Sequence, residues 1–349
     1  MKQEHRNQFT SAMLAIRERD IQRVFLSACG GSLAIMMPVK YILDRECRLP
    51  VQLYNARELA CLESRMLDEH SLFISCSHQG KTPETLEMTQ KAREAGALVV
   101  CLSNTVDSPL WKLAEYPIHY DWGFSEDTDV SDTNYGVLLR LAFSLVCMTG
   151  DEEQREKFGR AIERLDALTP VLAKSRALYY DHALAFGKTN RRQKVIYTLG
   201  SGICYAAAYS FSTCLLMEML WINSNPINAA EFFHGPFEIV DDDVTFLAVK
   251  GVGASRLIDE RAISFANRFT QRVHVIDAAD FAWGDIEEDL REYLTPAILN
   301  GVIRMYADQL ADFTGHPLSV RRYMGEWNTK TTMKGGFFQK LHRNSAEEP

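Results

Sequence analysis

The segment Glu231-Phe-Phe-His234-Gly-Pro-Phe-Glu238 sets a histidine between aromatic residues and a Gly-Pro turn. Sixteen residues before that histidine stands Glu218, inside the apolar run Cys214-Leu-Leu-Met-Glu218-Met-Leu-Trp221. A carboxylate in apolar surroundings and an imidazole on a tight turn are residue types suited to general acid–base catalysis. The same residues also fit a structural reading, in which the glutamate is paired on its helix and the histidine packs the turn.

A second stretch, Ser77-His78-Gln79-Gly80-Lys81-Thr82-Pro83-Glu84, runs from an apolar strand pattern into a helix start. Thr82 has the residue type of an N-cap, and Pro83 suits the first helical position. Backbone N–H groups at a helix start, joined by Ser and Thr hydroxyls, can cradle an anion. Ser32, after Gly30-Gly31, offers a further hydroxyl. A capped loop without a ligand fits these residues too. The Walker A spacing is absent, Gly30-Gly31-Ser32 is not the dinucleotide fingerprint, and Gly200-Ser201-Gly202 lacks its third glycine. Asp241-Asp-Asp243 and Glu287-Glu-Asp289 read as solvated acidic turns, and Arg321-Arg322-Tyr323 as a surface basic pair able to meet an anionic group. No His, Cys, Asp and Glu set has metal-ligand spacing, so neither a metal nor a cofactor is expected.

These pieces sit on alternating strand and helix patterns. Strands are predicted at Val24–Ala28, Val51–Tyr54, Leu72–Cys76 and Ala97–Leu102, with a helix from Leu33 to about Arg45 and another ending at Ala95. From about Val130 to Phe186 the pattern is helical, with a break at Gly150. A strand at Lys194–Leu199 then meets Gly200-Ser201-Gly202 and a helix from about Tyr205 to Asn223. Strands at Thr245–Val249 and Arg272–Ile276 flank a helix around Ser255–Phe269. Strands alternating with helices of this length imply parallel βαβ units, and the return of a strand-glycine-helix unit suggests a weak internal duplication. The expected organisation is a first domain over 1–155, a second over 156–325, and a C-terminal tail over 326–349 whose last residues, Asn344–Pro349, are expected to be mobile.

The chain has 349 residues, 46% of them hydrophobic and 24% charged, with a net charge of −8. That is ordinary globular composition, and without a basic block it argues against nucleic acid as a partner. No apolar run is long enough to span a membrane, and the polar N-terminus lacks a signal pattern. The eight cysteines contain no CxxC pair and several lie in apolar, strand-like runs (Cys76, Cys101, Cys147), so they read as buried free thiols of a cytoplasmic protein.

Taken together, the motifs resemble the sugar isomerase (SIS) family over roughly residues 10–325. The carriers are the Gly30-Gly31-Ser32 turn, Ser77–Thr85, Gly200-Ser201-Gly202, Met217-Glu218-Met219, Trp221, Glu231–Ile239, Asp259–Ala262 and Arg321-Arg322-Tyr323. The chain looks most similar to the deglycases of Amadori-compound 6-phosphates such as fructoselysine, glucoselysine or fructoseasparagine 6-phosphate. It is more distantly similar to the isomerase half of glucosamine-6-phosphate synthase. The resemblance implies an α/β fold of two SIS-type subdomains, each a parallel sheet flanked by helices in three αβα layers. It implies phosphate held by Ser32, Ser77, Gln79 and Thr82, with Gly31, His78, Ser201, Glu231, Arg322 and Tyr323 also lining the substrate. It makes Glu218 the proton-transfer base and His234 the group that assists ring opening. It further implies a homodimer whose active site is shared between subunits. Two departures from the synthase stand out: Gln79 replaces a loop serine, and Leu215 replaces a lysine before the base. No glutaminase segment precedes residue 1, so aminosugar synthesis is not expected. A phosphosugar aldose–ketose isomerase and a non-catalytic sugar-phosphate sensor remain alternatives.

Overall fold

The computed structural model describes residues 1–123 and 128–324. The chain forms two compact units, Met1–Leu318 and Ser319–Pro349. The tail expected over 326–349 lies outside the described residues.

Two parallel sheets build the first unit. Strands β1 (Arg23–Ala28), β2 (Val51–Asn55), β3 (Ser71–Cys76), β4 (Leu98–Ser103) and β5 (Tyr116–His119) run in the order β2-β1-β3-β4-β5. Strands β6 (Ile196–Gly200), β7 (Pro226–Asn228), β8 (Thr245–Lys250) and β9 (Val273–Asp277) run in the order β7-β6-β8-β9. β3 and β4 are buried along their whole length, as central parallel strands covered on both faces must be. β5 and β7, which sequence patterning does not mark, are short edge strands containing Pro117 and Pro226. A proline's missing N–H is tolerated at a sheet edge.

The helices are α1 (Gln3–Glu18), α2 (Gly30–Ala34), α3 (Met37–Glu46), α4 (Ala56–Leu62), α5 (Pro83–Glu94), α6 (Pro109–Leu113), α7 (Asn134–Thr149), α8 (Glu152–Leu165), α9 (Leu168–Asn190), α10 (Tyr205–Ser210), α11 (Arg256–Ala266) and α12 (Glu288–Thr314). The helix expected from Leu33 to Arg45 is split into α2 and α3. The break expected at Gly150 is present, followed by Asp151 and Gln154 closing a capping box on α8. Residues 155 and 156 lie inside α8. Cys147 sits on α7 and not in a strand-like run, because the pattern there is continuously apolar and the helix is buried nearly all round. All eight cysteines are free, but Cys61 is exposed, a correction to the expectation of buried thiols.

Strand alternation divides the core. Val24, Leu26, Leu72 and Ile74 face one large cluster shared with α7, α9, α12 and the second sheet's Leu247 and Val249. The intervening Phe25, Phe73 and Val99 face α4 and α5. Leu199, Phe246 and Ala248 pack on their other side against α11 and Phe232. Each sheet is thereby sandwiched between helical layers. Among the described residues no helix is long and apolar enough to cross a membrane.

Candidate active site

Open parallel sheets bind ligands beyond the carboxyl ends of the strands, where the strand order reverses. In the order β2-β1-β3-β4-β5 that point lies between β1 and β3. Ala28 pairs with Cys76 in register, so the chain leaves both strands side by side, toward Ser32 on one and Ser77 on the other. Burial pushes the Cys76 thiol up to about 12, offset in part by the neighbouring Ser32 and Tyr120 hydroxyls. Ser77 is buried, while Ser32 and Thr82 are half-buried and Gln79 and Gly31 exposed.

Thr82 occupies the N-cap position of α5 but makes no side-chain cap bond. Its hydroxyl instead meets that of Ser77 at 2.9 Å. The first turn of α5 therefore keeps its N–H groups uncapped by the side chain, with two hydroxyls beside them, donor groups of the kind that can receive an anion. The loop is held from below. Gly80 has φ +62°, and a Cβ there would lie 2.0 Å from Ser108 Oγ, so only glycine fits. Asn104 N–H donates to the His78 carbonyl, and the His78 ring lies 3.1 Å from the Tyr120 hydroxyl and 4.7 Å, centroid to centroid, from Trp122. Burial pulls the His78 imidazole below its ordinary pKa, so it is neutral at neutral pH.

Glu218 stands on an unusual element. The helix expected from Tyr205 to Asn223 changes at Phe211 into a π-helix, Phe211–Met219, with Leu220 N–H donating to the Leu215 carbonyl five residues back. Such wide turns gather at functional sites. Trp221, next in line, holds φ +59°, a left-handed conformation that costs an L-residue roughly 1–2 kcal/mol. The π-helix packs against α2, and a Cβ on Gly31 would lie 3.6 Å from Cys214 Sγ. Glu218 is thus half-buried one turn beyond the contact that joins its helix to the first switch point.

His234 lies on the loop after β7. Phe232 is fully buried against Phe246 and Phe265, and Arg261 lies 4.0 Å over the Phe233 ring. His234 N–H donates to the Glu231 carbonyl, and Gly235 at φ +135° turns the chain. The aromatic anchors leave Glu231 and His234 exposed at the tip. Arg322 and Tyr323 belong to the second unit, where both are exposed.

The second sheet also has a switch point, between β6 and β8, and protein groups fill it. Ser201 is buried and donates to Asp259 Oδ1 at 2.5 Å, and Gly251 N–H donates to Asp259 Oδ2 at 3.3 Å. Burial raises Asp259 to about 6. Glu292 on α12 closes the adjoining space, accepting from Tyr41 and Arg45, and a Cβ on Gly253 would collide with its carboxyl group. Sequence reasoning missed this pairing because residues 201, 259 and 292 share no local spacing.

The fold is a doubly wound parallel α/β arrangement, with the Ser77–Thr82 loop and Ser32 at one switch point. The SIS domain family model matches residues 19–123. The chain is 43% identical over 310 residues to the fructosamine deglycase FrlB of Bacillus subtilis (strain 168), covering 88% of this chain and 93% of that protein. It is 29% identical to the fructoselysine 6-phosphate deglycase of Escherichia coli (strain K12), covering 88% and 87%. A candidate phosphosugar isomerase of Bacillus subtilis superposes with a TM-score of 0.89 at 40% identity, over 94% of this chain and 100% of that one. The C-terminal domain of glucosamine-fructose-6-phosphate aminotransferase from Francisella tularensis shares the fold at a TM-score of 0.71 and 16% identity, over 90% and 95%. The chain belongs to the SIS domain family.

Proposed function

We propose that this protein is an Amadori-product 6-phosphate deglycase, cleaving a conjugate of the fructoselysine or glucoselysine 6-phosphate type to a hexose 6-phosphate and a free amino acid. The observation that carries the reading is the convergence of Ser32, Ser77 and Thr82 at the β1/β3 switch point, with the Glu218 helix packed on Gly31. The names of the two deglycase relatives support the amine-releasing chemistry.

The cradle holds the 6-phosphate, and Gln79 stands beside it. The open-chain substrate carries a C2 carbonyl that acidifies the C1 protons. Glu218 removes one, giving an enaminol, and returns a proton to C2. The resulting C1 imine adds water and releases the amine. The substrate's own carbonyl accepts the electron pair, so a single positioned carboxylate serves both proton transfers. His234 moves the proton required for ring opening. Its exposed position suits a homodimer in which the partner subunit's His234 completes the site around Glu218.

An isomerase would share the first proton transfer but release no amine. Incubation with a panel of phosphorylated sugar–amino acid conjugates, followed by mass spectrometry, tests the proposal. Hexose 6-phosphate and free amino acid should appear together. Ketose–aldose interconversion of simple phosphosugars without amine from any conjugate would overturn it.

A further inference from the structure

We propose that His5, His119 and Asp121 bind one divalent first-row transition ion, which clasps α1 to β5. One ligand atom from each residue lies within 4.8 Å of the others. His5 is 1% exposed, and its Nδ1 lies 2.7 Å from Asp132 Oδ1. His119 Nε2 lies 2.9 Å from the Asn104 carbonyl oxygen. Carboxylate and carbonyl oxygens accept, so each ring donates its proton there. The remaining nitrogens, His5 Nε2 and His119 Nδ1, then both carry lone pairs, and they face each other at 2.8 Å. Two lone pairs at that separation repel unless a cation joins them.

Asp121 decides which cation. A shared proton needs only the two nitrogens, whereas a third, anionic donor completes a metal's ligand set. An ion about 2.05 Å from both nitrogens would see them at roughly 86°. That is near the cis angle of an octahedral two-histidine, one-carboxylate site. Opening the pair by about half an ångström would suit tetrahedral zinc. Two imidazoles disfavour magnesium and calcium, which take oxygen. The carboxylate on one ring and the carbonyl on the other form the outer shell that orients metal-binding histidines. Lys2 Nζ now sits 2.6 Å from Asp121, but its side chain is 64% exposed and can swing away. His119 and Asp121 are two residues apart, but His5 lies 114 residues before His119, so local spacing does not reveal the set.

The test uses full-length protein in a Cys61→Ser background, which removes the exposed thiol, stripped by a chelator and titrated with zinc chloride. Calorimetry should count one ion per chain. Tm should rise by about 4 °C at a hundredfold excess over Kd. Asp121→Asn and His119→Gln should each weaken binding more than tenfold, and magnesium should give no shift. Asp121→Asn with an unaltered zinc-free Tm certifies an intact fold. Absence of saturable zinc binding by the parent protein would overturn the proposal and leave a shared proton between the rings. Equal affinity in parent and both variants would overturn it by placing the ion elsewhere.

Discussion

Replacing Thr82 by valine separates the proposed phosphate contact from the fold that carries it. Valine keeps the shape and removes the hydroxyl. Loss of a capping side chain usually costs a helix about 1 kcal/mol. Thr82 makes no cap bond, so α5 should not incur that cost. The structural loss is the bond with Ser77, which leaves a buried hydroxyl short of one partner. About 1 kcal/mol follows, or a Tm fall of roughly 1–2 °C for a chain of 349 residues. A hydroxyl donating to phosphate contributes about 1.5–3 kcal/mol, which is roughly 10- to 150-fold in affinity. Thr82 must first leave Ser77, so the lower end, about tenfold, is expected. The phosphate is remote from C1 and C2, so the loss should appear in KM with kcat nearly unchanged. Steady-state kinetics on a phosphorylated conjugate, with inorganic phosphate as a competing ligand, measures both. An unchanged KM with a depressed kcat, or undiminished phosphate competition, would refute the placement of the phosphate at this switch point.

Two further outcomes follow from the same geometry. Glu218→Ala and His234→Ala proteins, each inactive, should recover roughly a quarter of wild-type activity after subunit exchange, because half the dimers become mixed and each mixed dimer holds one intact site; inactivity despite demonstrated exchange would place both groups in one chain's site. Asp259 is raised from 3.8 to about 6 by burial, so the folded state keeps a proton that the unfolded chain releases between about pH 4 and 6. Its stabilisation is present below that window and is lost as pH rises through it, by up to roughly 3 kcal/mol. Asp259→Asn cannot ionise and should flatten this part of the Tm-versus-pH curve; equal slopes in both proteins would count against burial as the cause.

Much of the architecture was legible because central parallel strands are continuous apolar runs ended by glycine or serine turns. Val24–Ala28, Leu72–Cys76 and Thr245–Val249 each coincide with a strand. The turn from β3 into α5 was legible from Ser77, Thr82 and Pro83, since strand, polar turn and helix start are local signals. The edge strands β5 and β7 were not, being short and proline-containing. The π-helix was hidden because Phe211–Met219 has the composition of an ordinary apolar helix. Ser201 looked like the mirror of Ser32, and only the fold brings Asp259 onto its hydroxyl. His5 likewise reaches the neighbouring His119 and Asp121 only through the packing of α1 on β5.

The central claim is that Glu218 is the base for amine release. The most direct measurement follows hexose 6-phosphate and free amino acid together by mass spectrometry, for wild type and Glu218→Gln, beside substrate binding by calorimetry. Equal amounts of the two products are expected from wild type. A fall of at least about 10²-fold is expected in the variant, with binding retained. A Glu218→Gln protein releasing amine at a near-normal rate would contradict it.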